Sequence, residues 1–191
     1  MLPRFARDRR GVAAVEFAIV VPLMLALYFL TMEVSQAIDS SRKVGRIASQ
    51  IADLVAQQEV TSPGELDAIM KISQPLLQPY TRSEADITVT AIRVTDDNVP
   101  TARVVWSRKY ADGDYAPALP EGAVVAIPRK LMARGSFLIR SEVDLQYWPI
   151  LAWSAEGMEM LGVADTFFPM EMGERYYLQP RQTRAIACAA C

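Results

Sequence analysis

Histidine is absent from this sequence of 191 residues. Its absence excludes imidazole general bases, Ser-His-Asp and Cys-His nucleophile systems, HExxH zinc sites and covalent haem at CxxCH. Charged residues are few, 22% against 51% hydrophobic, which is the composition of a globular chain and excludes disorder throughout. The net charge of −2 provides no overall basic field, so we expect no nucleic-acid partner.

Positive charge is concentrated at the N-terminus. Residues 1–11 contain four arginines and one aspartate, while the rest of the chain carries a net negative charge. The next segment, residues 12–32, has Glu16 as its only charged residue. As a helix these residues would rise about 31 Å, which is the thickness of the hydrocarbon core of a bilayer. The sequence therefore predicts a transmembrane helix over 12–32.

The arginines before this segment set its expected orientation. By the positive-inside rule, Met1 lies in the cytoplasm and the bulk of the chain lies on the other side of the membrane. The alternative is a cleaved secretory signal, with Ser35-Gln36-Ala37 as a small-x-small cleavage site.

Glu16 is a carboxylate inside the apolar segment. In a spanning helix such a group costs about 2.5–3.5 kcal/mol near the bilayer centre and less near an end. One explanation is that Glu16 lies at headgroup depth, one turn inside the membrane. The other is that it takes a cationic partner in an assembly.

The N-terminal string RDRRGVAAVEFAIVVPLMLALYFLTMEVSQA resembles the class III leader of Flp-type (tight adherence, Tad) pilins and of the TadE/TadG-like family of pilus assembly proteins. A short basic leader ends at Gly11, small residues follow, and Glu16 is the fifth residue after that glycine. The resemblance implies that prepilin peptidase cuts between Gly11 and Val12. It also implies that the new amine of Val12 neutralises Glu16 of a neighbouring subunit when the helices bundle.

The sequence departs from TadG-type members of this family in one respect. TadG-type members carry a von Willebrand A domain with a DxSxS metal motif, whereas Asp39-Ser40-Ser41-Arg42-Lys43 breaks that motif and the chain is too short for the domain. The resemblance is therefore to TadE-like minor pilins or pseudopilins, which implies other pilins and Tad assembly proteins as partners and no cofactor or metal. It also implies a bacterial inner-membrane location, with inner-membrane lipid around the span and the bulk of the chain in the periplasm. Incorporation into the extracellular pilus is left open.

Beyond the span the apolar residues become periodic. They recur at spacings of three and four: Val34, Ala37, Ile38, Val44, Ile47, Ile51, Leu54 and Val55. This pattern predicts an amphipathic helix that packs on the exported domain or pairs in a coiled coil. Because no proline lies between Pro22 and Pro63, the span and the stripe are expected to form one helix of about 45 residues.

The rest of the pattern predicts a second helix and a small antiparallel sheet. A capping box, Ser62-Pro63-Gly64-Glu65, predicts the helix from Pro63 to about Leu77. Strands are expected at 86–95, 102–110 and, most clearly, 136–147, where apolar and polar residues alternate. Residues 111–128 are expected to form a loop with a short strand at 123–127. The tail from Gly157 is expected to be a loop or short helix, with a last strand near 184–187.

Together these elements predict a pilin-like α+β fold, in which a long N-terminal helix, transmembrane and then amphipathic, packs on a small antiparallel β-sheet. The expected segments are a leader at 1–11, the span at 12–32, the amphipathic helix at 33–60 and a periplasmic α+β domain at 61–191. The distal half extends the resemblance, because GSFLIRSEVDLQYWPI and DTFFPMEMGERYYLQPRQTRAIACAAC are similar to a strand and to the cysteine-bearing tail of TadE-like proteins.

Cys188 and Cys191 are the only cysteines and form a CxxC at the end of the chain. In an oxidising periplasm the simplest outcome is a disulfide between the two, which would stabilise the tail. Cross-linking between chains and redox or metal chemistry are the alternatives.

Two classes of function follow from these features. The first is a non-enzymatic, membrane-anchored minor pilin or pseudopilin that is needed to assemble a Tad/Flp type IVb pilus. The second is a single-pass anchored periplasmic enzyme or sensor domain unrelated to pili. The enzyme is less favoured because no nucleophile–base pair or metal-ligand cluster stands out in the sequence.

Overall fold

The computed structural model describes residues 11–78, 80, 82–149 and 170–191. Within these ranges there are two α-helices, α1 (Val12–Ala56) and α2 (Pro63–Ser73). The strands are β1 (Val60–Thr61), β2 (Ala85–Val94), β3 (Ala102–Ala111), β4 (Asp114–Pro117), β5 (Phe137–Tyr147), β6 (Met170–Leu178) and β7 (Ala187–Cys188). Short 3-10 helices cover Gln74–Leu77 and Arg129–Leu131.

Strands β2 to β6 form a five-stranded antiparallel sheet in the order β4-β3-β2-β5-β6. The second half of α1 packs on one face of this sheet, over β5 and β6, and α2 lies beside it. The α+β prediction of a long N-terminal helix packed on an antiparallel sheet is therefore confirmed. We call the sheet, α2 and the second half of α1 the head domain.

The core lies between α1 and the sheet. Small and branched side chains on one face of α1 are fully or almost fully buried: Ser40, Val44, Ile47, Ala48, Ile51, Ala52, Val55 and Ala56. Burying one large aliphatic side chain contributes about 1.5–3 kcal/mol, so this face fixes the helix on the sheet. The predicted stripe is correct at Val44, Ile47, Ile51 and Val55, and Ala37 packs partly against the core. Val34, Ile38 and Leu54 are exposed, so the prediction is wrong at these three positions.

The capping box forms as the sequence predicts. The Ser62 hydroxyl donates to Glu65 Oε2 over 3.0 Å, and the Glu65 backbone N–H points back to the Ser62 hydroxyl. The second helix becomes 3-10 after Ser73 and ends at Leu77, as expected.

Two expectations for the sheet are wrong. Residues 114–117, expected to be loop, form β4, because Asp112 and Gly113 both adopt positive φ (54° and 86°) and close a two-residue hairpin with β3. The expected strand at 123–127 is reduced to one isolated bridge between Val124 and Arg103.

The tail also differs from its expectation. β6 is a nine-residue edge strand that the sequence analysis missed, because Gly173 and Glu174 interrupt its apolar pattern. The last strand covers Ala187–Cys188 instead of 184–187. The expected loop or short helix from Gly157 lies outside the described residues up to 169.

The alternation predicted for β5 holds only in its second half. Arg140, expected on the polar face, is only 7% exposed, and Leu138 on the same face is 2% exposed. Leu138 is covered by a second small cluster that includes Val125, Ile127 and Leu131, so the loop after β4 shields this face of the sheet.

Candidate functional site

Gly11 and Val12, the expected cleavage site, lie at the start of α1. Gly11 has φ −88° and ψ −10°, a right-handed conformation open to any residue, and no neighbouring atom of the described chain lies within 4 Å of a Cβ built there. The described fold therefore does not require glycine at this position. Val12 is half exposed.

Glu16 stands four residues after Val12, so the two residues share one face of α1. Its side chain is exposed. The Cα atoms of residues 12 and 16 are separated by about 6 Å along the helix axis. The structure thus brings these two predicted site residues together and leaves both accessible to a neighbouring molecule.

The first part of α1, Val12–Asp39, projects from the head domain with nearly all of its apolar side chains exposed, and only Ala37 packs partly against the core. We call it the exposed helix segment. It is the one helix in the described ranges that is long and apolar enough to cross a bilayer, and its most apolar window has no buried residue. The Thr31 hydroxyl is satisfied within the helix, because it donates to the Leu27 carbonyl over 2.7 Å. The segment is consistent with a single-pass membrane anchor.

A hydrogen bond connects this segment to the head domain. The Tyr147 hydroxyl, at the end of β5, donates to Glu33 Oε1 over 2.6 Å. Glu33 directly follows the predicted span, and Tyr147 is fully buried. Burial, first, and this hydrogen bond, second, raise the pKa of the Tyr147 phenol, because both disfavour the phenolate.

Three further residues surround this bond. The Tyr80 ring stacks on Tyr147 with 5.1 Å between ring centroids, and its hydroxyl accepts the Trp148 backbone N–H over 2.7 Å. The Arg82 guanidinium lies 5.6 Å from the Tyr80 centroid and donates to the Trp148 carbonyl over 2.8 Å. We call Glu33, Tyr80, Arg82, Tyr147 and Trp148 the junction.

The sequence did not predict the junction, because aromatic residues such as Tyr147 and Trp148 are more typical of a core than of a binding site. Tyr147 is core, but Trp148 is 41% exposed. A usable signal was present, because Glu33 is the first charge after the span and Tyr147-Trp148 ends the clearest strand. What the sequence does not show is that α1 and β5 bring these positions to one end of the head domain. Trp153, Phe167 and Phe168 lie outside the described residues.

The C-terminal cysteines lie near the opposite end of α1. Cys188 and Cys191 form an intramolecular disulfide, with 5.7 Å between their Cα atoms. β7 pairs in parallel with β1, the short strand that lies between α1 and α2 in the sequence. The tail before it is fixed by the Trp106 indole, which donates to the Ile186 carbonyl over 2.9 Å, and by an ion pair between Arg181 and Asp53.

An acidic cleft of about 710 Å³ opens at the same end of the sheet as the junction. Its lining includes five carboxylates: Glu84, Asp86, Asp112, Asp144 and Glu171. Burial, first, and the charges of Asp112 and Asp144 raise the pKa of the Asp86 carboxyl. Among the described residues, no group of three or more acidic or cysteine side chains is arranged to hold a metal ion.

The comparison with protein families addresses the N-terminal helix. Residues 11–53 match the family model described as TadE-like protein. The N-terminal segment is therefore similar to TadE-like proteins over 43 of the 191 residues. The match confirms the resemblance over Gly11, Glu16, the exposed helix segment and most of the buried half of α1. Comparisons with curated proteins and with solved structures give no match.

Proposed function

We propose that this protein is a membrane-anchored minor pilin or pseudopilin needed to assemble a Tad/Flp type IVb pilus. Prepilin peptidase would cut it after Gly11, on the cytoplasmic side of the inner membrane, while the head domain stands in the periplasm. Its partners would be prepilin peptidase, other pilins and Tad assembly proteins.

The observation that carries this proposal is the exposed helix segment of a TadE-like helix. An apolar surface of this length is stable only if something covers it. Before assembly the cover would be lipid, and in a bundle it would be the apolar helices of other subunits. One half of α1 is exposed and the other half packs on the head domain. This arrangement suits a subunit whose exposed helix segment moves from lipid into a bundle of helices.

Gly11 and Glu16 are the residues that would take part in cleavage and in charge pairing. The described fold imposes no steric need for glycine at position 11, whereas a protease that binds extended backbone benefits from a residue without a side chain. Cleavage would create an ammonium at Val12. In an apolar bundle this ammonium needs a carboxylate, and Glu16 is the charged residue of the exposed helix segment nearest to it.

Pilus assembly in a deletion strain tests the proposal. The strain is complemented with the wild-type chain, with Glu16→Gln, or with Glu121→Gln, a matched control at an exposed carboxylate of a head-domain loop. We expect wild type and Glu121→Gln to restore pili, and Glu16→Gln to fail although it reaches the membrane at wild-type level. Normal piliation in the deletion strain would contradict a need for this protein. Normal piliation with Glu16→Gln would contradict the role of the carboxylate.

A further inference from the structure

The junction has an exposed edge that its internal contacts do not explain. Tyr147 and Tyr80 are buried, but Trp148 is 41% exposed and the Arg82 side chain is exposed. The Arg82 guanidinium donates to the backbone carbonyl of Trp148, so the two exposed side chains belong to one part of the surface.

The height of this edge along α1 follows from the bond between Tyr147 and Glu33. Glu33 is the first residue after the apolar span, and Trp148 adjoins Tyr147, so its Cα is about 3.8 Å from that of Tyr147. On the free side of the helix, Val34 and Ile38 are also exposed and apolar, and the first charge after Glu33 is Asp39. The exposed apolar surface of α1 therefore ends at Asp39, about 9 Å along the helix axis from Glu33, and Trp148 and Arg82 lie beside its last turns.

The chemistry of the pair fits the boundary between lipid and water. Tryptophan is enriched at this boundary, because its ring is apolar and its N–H is polar. Arginine presents several N–H donors in a planar fork that matches a phosphate group. One Arg82 nitrogen binds the Trp148 backbone carbonyl, which holds the guanidinium close to this residue.

The charges on the opposite face of the sheet favour one orientation of this edge. The acidic cleft lies at the same end of the head domain, on the strand face away from α1, where Asp86 and Asp144 are paired across β2 and β5. Its carboxylates would be repelled by lipid phosphates, whereas Arg82 would be attracted. The helix side of the head domain therefore meets the membrane more readily than the cleft side.

We infer that Trp148 and Arg82 contact phospholipid headgroups and seat the head domain on the membrane beside its own anchor. The inference rests on the membrane anchor of the proposed function. In the lipid-embedded protein, the Trp148 ring lies among glycerol and headgroup atoms and Arg82 binds a lipid phosphate, while the Glu33–Tyr147 bond holds the head domain at this depth.

The test uses the full chain, labelled with 5-fluorotryptophan and reconstituted at one chain per nanodisc. Fluorine signals are assigned with Trp148→Phe and Trp106→Phe, and lipids with a paramagnetic headgroup are then added. We expect the Trp148 signal to broaden several-fold more than that of Trp106, which is buried in the core. Arg82→Gln should reduce the broadening, whereas Arg129→Gln, at an exposed position on the loop after β4, should not.

Proteolysis of the same discs separates this inference from the anchor itself. If α1 is protected and Trp148 broadens no more than Trp106, the headgroup contact is wrong and the anchor stands. If α1 is digested, the anchor fails and the headgroup contact fails with it. One chain per disc excludes a second copy as the cover of Trp148.

Discussion

The hydroxyl of Tyr147 lies 2.6 Å from the carboxylate of Glu33, which is 114 positions earlier in the chain. This bond joins the end of a central strand to the residue that follows the apolar segment of α1. Before Glu33 the side chains of the helix are exposed, and from Ser40 onward one face of the helix is buried on the sheet. Glu33 and Tyr147 therefore mark the boundary between the exposed helix segment and the head domain.

Removing the hydroxyl of Tyr147 should loosen this boundary. Tyr147→Phe keeps the ring stacked on Tyr80 and loses only the hydrogen bond, so we expect the free energy of unfolding to fall by about 1 kcal/mol. Thermal unfolding of the full chain in micelles, followed by circular dichroism, measures the change. Tyr176→Phe, at an exposed ring of β6, is the control and should be near neutral. Equal effects of the two variants would contradict the role of the bond.

Stability at high pH should depend on the same phenol. The pKa of Tyr147 is raised in the folded chain, so above about pH 10, the ordinary pKa of tyrosine, the unfolded chain loses this proton and the folded chain retains it. The stability that this bound proton contributes is present below about pH 10 and is lost as the pH rises toward the pKa of Tyr147 in the folded chain. Tyr147→Phe should therefore lose less stability than wild type between pH 9 and pH 11. Parallel pH profiles would show that the proton on Tyr147 makes no such contribution.

The disulfide should contribute modestly to stability. Closing so short a loop removes little entropy from the unfolded chain, so a double Cys188→Ser, Cys191→Ser variant should lose about 2 kcal/mol or less. Reductant should lower the melting temperature of wild type to that of the variant and leave the variant unchanged. Thiol labelling checks the pairing, since two reactive thiols in unreduced periplasmic material, or a covalent dimer on a non-reducing gel, would contradict the intramolecular bond.

Asp86 should be a site of mild destabilisation at neutral pH. Its pKa is raised, so the folded chain holds the proton more tightly than the unfolded chain, and stability falls as the pH rises through the two pKa values. Asp86→Asn should therefore stabilise the protein at pH 7, by about 0.5 kcal/mol or less because the site is partly solvated. The gain should shrink as the pH falls toward 4, near the ordinary aspartate pKa. A loss of stability at pH 7 would show that the charged carboxylate is favoured instead.

Local patterns predicted most of the fold but not the junction. The α1 stripe, the capping box at Ser62 and the alternation of β5 are signals within single elements, and the structure contains all three elements. β4 forms because Asp112 and Gly113 adopt positive φ and close a hairpin. The sequence did not predict this strand, because the prolines at 117, 120 and 128 favour a loop over residues 111–128. The hydrogen bond between Glu33 and Tyr147 depends on how α1 lies across β5, and no pattern within either element specifies that placement.

The side chain at position 11 provides a selective test of processing. Because no neighbouring atom of the described chain lies near Gly11, Gly11→Val should leave the fold intact and block cleavage by obstructing the protease. Gly64→Ala, at the other helix-start glycine with open space around it, should be cut normally. Cleavage of Gly11→Val at the wild-type rate would mean that the protease does not select this glycine.

The mature N-terminus of the wild-type chain tests the central claim most directly. The chain is produced with an active prepilin peptidase, purified from the membrane, and analysed by intact mass and N-terminal sequencing. Our account predicts a protein that begins at Val12, and a full-length precursor when the peptidase is inactivated. A protein that still begins at Met1 would be a plain membrane anchor, and one that begins at Ile38 would be a product of signal peptidase. Either result would contradict a pilin-like subunit.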